Sequence, residues 1–193
     1  MSNAFNLARH GAYKAGSIIE EVSSPCDGSQ IAVGSGTYTV QDVTAAQYLG
    51  SNSYADLTGS SITYTPPSIA TRVVYEFSFQ ATYDDGYGVI HSKFFIDSDE
   101  VVSARHNLRG YYWSQRALFR WVINIGGTAD TDDGRLASWT SAKTLKMQVR
   151  EYSTSNDAVC HQTKTWDGAN TVQFSKPVIS LKAIVWSNLL NHL

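Results

Sequence analysis

Apolar residues recur at every second position along most of this chain. Val73, Tyr75, Phe77 and Phe79 fall on one face of an extended segment, and Arg72, Glu76, Ser78 and Gln80 fall mostly on the other. A period of two marks a strand with one buried face. The same alternation sets Ile90, Phe94 and Ile96 against His91 and Lys93, and Ala117, Phe119, Trp121, Ile123 and Ile125 against Arg116, Arg120 and Asn124. It sets Leu145, Met147 and Val149 against Lys146, Gln148 and Arg150, and Ile179, Leu181, Ala183 and Val185 against Ser180 and Lys182. Shorter strand signals cover Ile18, Ile19 and Val22, then Thr37 to Val40 with Tyr38 and Val40 on one face, then Tyr54 to Tyr64. Turn residues punctuate these runs: Pro25-Cys26-Asp27-Gly28, Thr58-Gly59-Ser60-Ser61, Pro66-Pro67 and Asp84-Asp85-Gly86, with Asp97-Ser98-Asp99-Glu100 predicted as a hairpin loop into Val101-Val102.

These signals predict about eight to ten strands. Helical periodicity is nearly absent, and only Asn188 to Leu193 suits a turn of helix. Many short alternating strands in one domain point to an all-β fold. The expectation is an antiparallel β-sandwich, jelly-roll-like, over residues 16–187, with a short extended N-terminal arm at residues 1–15 and a C-terminal tail at residues 188–193. In the arm, Phe5, Leu7 and Tyr13 alternate with polar residues, but the stretch is too short to build a core. The closing segment from Val185, with Trp186, Leu189, Leu190 and Leu193, is unusually apolar for an exposed end. It either folds back on the sandwich or docks on a neighbouring chain.

Composition narrows the function classes. At 193 residues the chain is long enough for one domain. Hydrophobic residues at 42% support a core, whereas charged residues at 17% are sparse, and Ser and Thr together make 39 of the positions. That balance excludes a coiled coil, a helical bundle and a highly charged disordered chain. A net charge of −2 without a basic patch argues against nucleic acid as a partner. No apolar run reaches the roughly 18 residues of a membrane span, so no membrane insertion is expected. Met1 to Glu21 lacks the apolar core of a secretory signal, which implies synthesis in a cytoplasm. Cys26 and Cys160 fit no metal or redox spacing, and in that compartment two unpaired thiols are expected.

No constellation commands a catalytic reading. In Asp130-Thr131-Asp132-Asp133-Gly134 the glycine falls where a calcium loop needs its third ligand, and no glutamate follows at the required distance. Asp84, Asp85, Asp97, Asp99 and Glu100 are the carboxylates closest to a glycosidase pair, but all sit in predicted turns, where Asp serves local hydrogen bonding. Cys160 and His161 are neighbours in a predicted strand and so point to opposite faces. The five histidines lack metal spacing, and no nucleophile elbow or phosphate loop is present. The expectation is therefore a protein that is not an enzyme and needs no cofactor or metal. Tyr111, Tyr112 and Trp113, with Trp139 and Trp166 elsewhere, either fill a core or subunit interface or stack on sugar rings.

Several separated stretches carry a resemblance. Gly16-Ser17-Ile18-Ile19-Glu20-Glu21-Val22, the Pro25-to-Gly28 turn, Thr63-Tyr64-Thr65-Pro66-Pro67 and Phe94-Phe95-Ile96-Asp97 are similar to a virion structural protein family common in tailed phages of marine bacteria, cyanophages included. Ala104-Arg105-His106-Asn107, Ile125 to Thr131, Ser138 to Lys143 and Trp166-Asp167-Gly168 fit as well. The resemblance spans roughly Gly16 to Val185. It implies a capsid-decoration, head-fibre or tail-fibre module located in the virion, with a major capsid or tail protein as partner. By analogy with other virion jelly rolls, the module is expected to be a homotrimer. Phe5, Leu7 and Tyr13 are then the expected anchors to the particle, and Tyr111, Tyr112 and Trp113 the expected surface for a host glycan or a subunit contact. The family carries no catalytic residue to transfer. An adhesin reading host-surface glycan is the alternative.

Overall fold

The structure is a computed structural model, described for residues 13–83, 87–111, 113–153, 158–169 and 171–186. Among the described residues fifteen strands are formed: β1 (Ser17–Pro25), β2 (Gln30–Val33), β3 (Gly36–Thr39), β4 (Gln47–Tyr48), β5 (Ala55–Asp56), β6 (Ile62–Tyr64), β7 (Arg72–Tyr83), β8 (Tyr87–Ile96), β9 (Asp99–Tyr111), β10 (Gln115–Asn124), β11 (Lys143–Glu151), β12 (Ala158–Cys160), β13 (Gln162–Lys164), β14 (Val172–Phe174) and β15 (Val178–Val185). All pairings between them are antiparallel.

Eight strands form the frame. Their pairs are nested: β1 with β15, β6 with β11, β7 with β10, and β8 with β9. Such nesting is that of one long hairpin. Cross-pairing of β15 with β7 and of β11 with β8 then rolls that hairpin into two sheets. One sheet runs β1-β15-β7-β10 and the other β6-β11-β8-β9, with the chain passing back and forth between them. This is the jelly-roll order, so the expected all-β sandwich is the observed fold. The remaining strands decorate the two long connections, with β2 to β5 between β1 and β6, and β12 to β14 between β11 and β15.

The core lies between the sheets, where the alternation of the sequence places it. Tyr75, Phe77, Phe79, Ala81 and Tyr83 of β7 are all buried, as are Ile90, Phe94 and Ile96 of β8 and Leu145, Met147 and Val149 of β11. Tyr75 meets Phe94 at 4.9 Å between ring centroids, and Phe94 meets Phe119 at 5.3 Å, which joins β7, β8 and β10 through one aromatic cluster. Burial of each such side chain contributes about 1.5–3 kcal/mol. The polar atoms carried inward are bonded: the Tyr75 hydroxyl donates to the Ser60 carbonyl at 2.6 Å, and the Ser60 hydroxyl donates to the Leu57 carbonyl at 2.7 Å. The Glu20 carboxylate, also buried, accepts from the Tyr64 hydroxyl at 2.7 Å and from the Ser35 amide at 2.8 Å, which ties the β2–β3 hairpin to the frame.

Two local expectations change. The β8–β9 hairpin turns through Asp97 and Ser98 alone, with Asp97 at φ 57°, so Asp99 and Glu100 belong to β9 rather than to the loop. The strand expected across Cys160 and His161 breaks at His161, whose φ is 63°. Both side chains are therefore buried, instead of one facing out. The expected tail at 188–193, its turn of helix and the Asp84-Asp85-Gly86 turn lie outside the described residues.

Candidate binding end

The nested topology gives the sandwich two unlike ends. The connections β7–β8, β9–β10 and β11–β15 leave from one end, as does β1–β6, whose β2–β3 hairpin then runs back along the frame to Glu20. The start of β1 and the end of β15 lie at the other, together with 65–71, the Asp97–Ser98 turn and 125–142. At this second end the Gly16 amide donates to the Val185 carbonyl at 2.7 Å and the Trp186 amide to the Thr71 hydroxyl at 2.7 Å. The Arg72 guanidinium lies over the Trp186 ring at 4.5 Å, so the start of the closing segment folds back on the sandwich. Tyr13, 40% exposed, borders a groove of about 760 Å³ with Ile19, Pro66 and Pro67. Phe5 and Leu7 lie outside the described residues.

The far end is built on Tyr83, the last residue of β7. Its ring lies across the Gly88–Gly110 pair of β8 and β9, so near that a Cβ on Gly88 would sit 1.8 Å from the ring and one on Gly110 1.9 Å. Its hydroxyl accepts from the Gln115 side chain at 3.0 Å. One buried ring thus fixes the ends of β7, β8, β9 and β10 together. Isolated glycines in strands mark such close approaches.

A second fastening joins the β9–β10 turn to the β13–β14 turn. The Ser114 hydroxyl accepts from the Lys164 amide and donates to the Lys164 carbonyl. Thr165 follows at φ 59°, a conformation that opposes its β-branched side chain. Its amide is held by the Thr171 carbonyl and its hydroxyl donates to the Lys164 carbonyl at 2.6 Å. Trp113 and Trp166 flank this fastening, 65% and 69% exposed. Tyr152, 66% exposed, leaves β11 at the same end and meets His91 at 6.0 Å between rings. Of the aromatics expected here, Trp113 is exposed as a binding role requires. Tyr111 ends β9, paired with Tyr87, and its side chain lies outside the described residues, as does Tyr112. Trp139 is no surface residue: it is 4% exposed and packs edge-on against Tyr64 at 6.0 Å.

Of the carboxylate candidates, Asp97 and Glu100 are committed to local partners, and Asp84 and Asp85 lie outside the described residues. Asp97 accepts from Lys143 Nζ and the Thr144 amide, both at 2.8 Å. Although desolvation opposes them, these bonds and the lysine charge hold its carboxyl below the usual range. The Arg105 hydrogen bond at 2.6 Å, against slight desolvation, and Lys93 at 2.9 Å likewise hold Glu100 down. Both shifts run opposite to that of a general acid. Asp130 Oδ1 accepts from the amides of Asp132 and Asp133, and Asp133 Oδ1 accepts from the Ser103 hydroxyl. Among the described residues no group of three or more metal-binding side chains converges. Cys26 and Cys160 are unpaired and buried.

No family model matches the chain, and no curated protein matches it. What the fold and geometry define is an all-β sandwich of jelly-roll order, with Ser17, Val185 and Trp186 at one end and Trp113 and Trp166 exposed at the other.

Proposed function

We propose that the chain is a phage virion structural protein of the capsid-decoration, head-fibre or tail-fibre type, attached through its N-terminal arm and projecting the sandwich outward as a homotrimer. The observation that carries this reading is the polarity of the molecule. The arm leaves at the end where Ser17 pairs with Val185, so a particle held there presents the opposite end to solvent. The twelve residues of β7, at about 3.3 Å each, separate the two ends by roughly 40 Å. Leu118 and Val178 sit in one row on the outer face of the first sheet, flanking Ser78. Both are exposed, two apolar side chains on either side of Ser78, whose hydroxyl accepts from Arg116 at 2.9 Å, and a neighbouring copy would cover them.

Because the Lys14 carbonyl accepts from the Ser17 amide, a truncation that spares the frame stops at residue 12. Deleting residues 1–12 should leave the melting temperature unchanged and abolish binding to particles lacking the protein. In a trimer, three arms act together and raise attachment well above that of one arm. Undiminished binding, or a melting temperature several degrees lower, refutes arm anchoring; a strict monomer by light scattering refutes the trimer. The second reading, recognition of host-surface glycan, is favoured by the exposed indoles at the end away from the arm.

A further inference from the structure

We propose that Trp113 and Trp166 form one platform for a neutral oligosaccharide at the end of the sandwich remote from the Ser17–Val185 pair. The proposal rests on the glycan reading and not on the virion assignment.

Three observations converge. The first is exposure: Trp113 and Trp166, at 65% and 69%, leave more of their rings in water than Trp186, which is 54% exposed and has the Arg72 guanidinium over its ring, while Trp139 is buried nearly completely. Stability gains nothing from such placement, whereas a ligand face does.

The second is positioning. Trp113 is one residue from Ser114 and Trp166 is two from Lys164, and these two residues are bonded through both the amide and the carbonyl of Lys164. At about 3.8 Å per residue step, the Cα atoms of the two tryptophans lie within roughly 18 Å of each other. Thr165 keeps its unfavourable φ of 59° directly before Trp166. Strained backbone of this kind persists where the surroundings enforce it, and it concentrates at ligand sites. Tyr83, wedged on Gly88 and Gly110 beneath, holds the β9–β10 turn against Gln115.

The third is the chemistry around the rings. The residues that follow the rings in the two turns are mostly polar or small. Ser114 and Gln115 come after Trp113, their hydroxyl and amide N–H engaged with Lys164 and Tyr83, and Asp167, Gly168 and Thr171 come after Trp166, with Asp167 exposed. The exposed aliphatic residues Leu118 and Val172 lie five positions from Trp113 and six from Trp166. A protein partner's anchor needs an apolar, water-excluding surround. A sugar needs a flat aromatic face for its C–H side together with hydroxyl, amide or carboxylate groups for its hydroxyls. Lys164 before Trp166 and Asp167 after it balance each other in charge, so the turn favours neither an anionic nor a cationic glycan, and neutral sugars are the class that fits.

The test titrates the full chain with a panel of short neutral oligosaccharides of gluco, manno and galacto type at millimolar concentrations, read by indole fluorescence. Wild type should saturate with at least one member. Trp113→Ala and Trp166→Ala should each weaken that binding by roughly tenfold or more with unchanged melting temperature. Trp186→Phe, at the opposite end, should bind as wild type. If no member binds wild type, both the platform and the glycan reading fall. Binding that survives both alanine variants keeps the glycan reading and overturns this site. Weakened binding accompanied by a changed mass in solution assigns the indoles to contacts between copies and overturns it as well.

Discussion

Gly110 is the position where one methyl group should do the most damage. A Cβ there would lie 1.9 Å from the Tyr83 ring, and ordinary contact distances are near 3.5–4 Å, so the ring must retreat by about 2 Å. Tyr83 is 1% exposed, with no space to retreat into. Overpacking of this kind costs about 1–3 kcal/mol, and moving the hydroxyl away from Gln115 adds about 1 kcal/mol. Gly110→Ala should therefore cost about 2–4 kcal/mol, a large part of a typical total of about 5–15 kcal/mol. The backbone at Gly110 is ordinary strand, so no penalty arises from φ. That distinction is testable. With the ring removed by Tyr83→Ala, the new methyl enters vacated space, and a strand position generally prefers alanine to glycine by about 0.5–1 kcal/mol. A double-mutant cycle by urea unfolding should show Gly110→Ala destabilising in wild type and neutral or stabilising in the Tyr83→Ala background, with a coupling of at least about 2 kcal/mol. Equal costs in the two backgrounds would refute the ring-on-glycine account.

Two further outcomes follow from buried titratable groups. Burial, opposed by the bond to Thr58, lowers the pKa of His161 from 6.5 to about 4. The Thr58 hydroxyl already donates to Gln47, so Nε2 of His161 carries the proton toward Thr58 and Nδ1 is a bare acceptor with no partner among the described residues. The unfolded chain takes up a proton below pH 6.5 that the folded chain resists until about pH 4. Stability present above 6.5 is therefore lost across that window, by on the order of 3 kcal/mol at the limit. His161→Asn, which tolerates the left-handed backbone, should flatten the pH dependence of the urea midpoint between pH 7 and 4.5; an unchanged slope argues against it. Desolvation pushes the Cys26 and Cys160 thiols up to about 12, so a thiol reagent at pH 8 should label neither until the chain unfolds. Prompt labelling of the native protein contradicts their burial.

Local pattern alone determined which residues face inward. Val73 to Phe79, Ile90 to Ile96 and Leu145 to Val149 were legible because a strand's period of two is fixed by backbone geometry, whatever the strand pairs with. Charge and composition likewise bounded the class to an all-β domain. The nested pairing that makes the sandwich a jelly roll was decided only in three dimensions, because β1 meets β15 across some 160 residues of intervening chain and no local signal encodes that contact. The same holds for the candidate site. Trp113, Trp139 and Trp166 are alike as letters, yet Trp139 fills the core against Tyr64 while the other two stand in solvent, since burial depends on where a connection is carried by the strands it joins. Gly88 and Gly110 did leave a trace, as isolated glycines inside strands, but their reason is a ring delivered from the end of another strand. His161 left none: its break between β12 and β13 answers to the packing of Phe77, Phe79 and Thr58 around it, and tertiary contacts override a local preference for extended backbone.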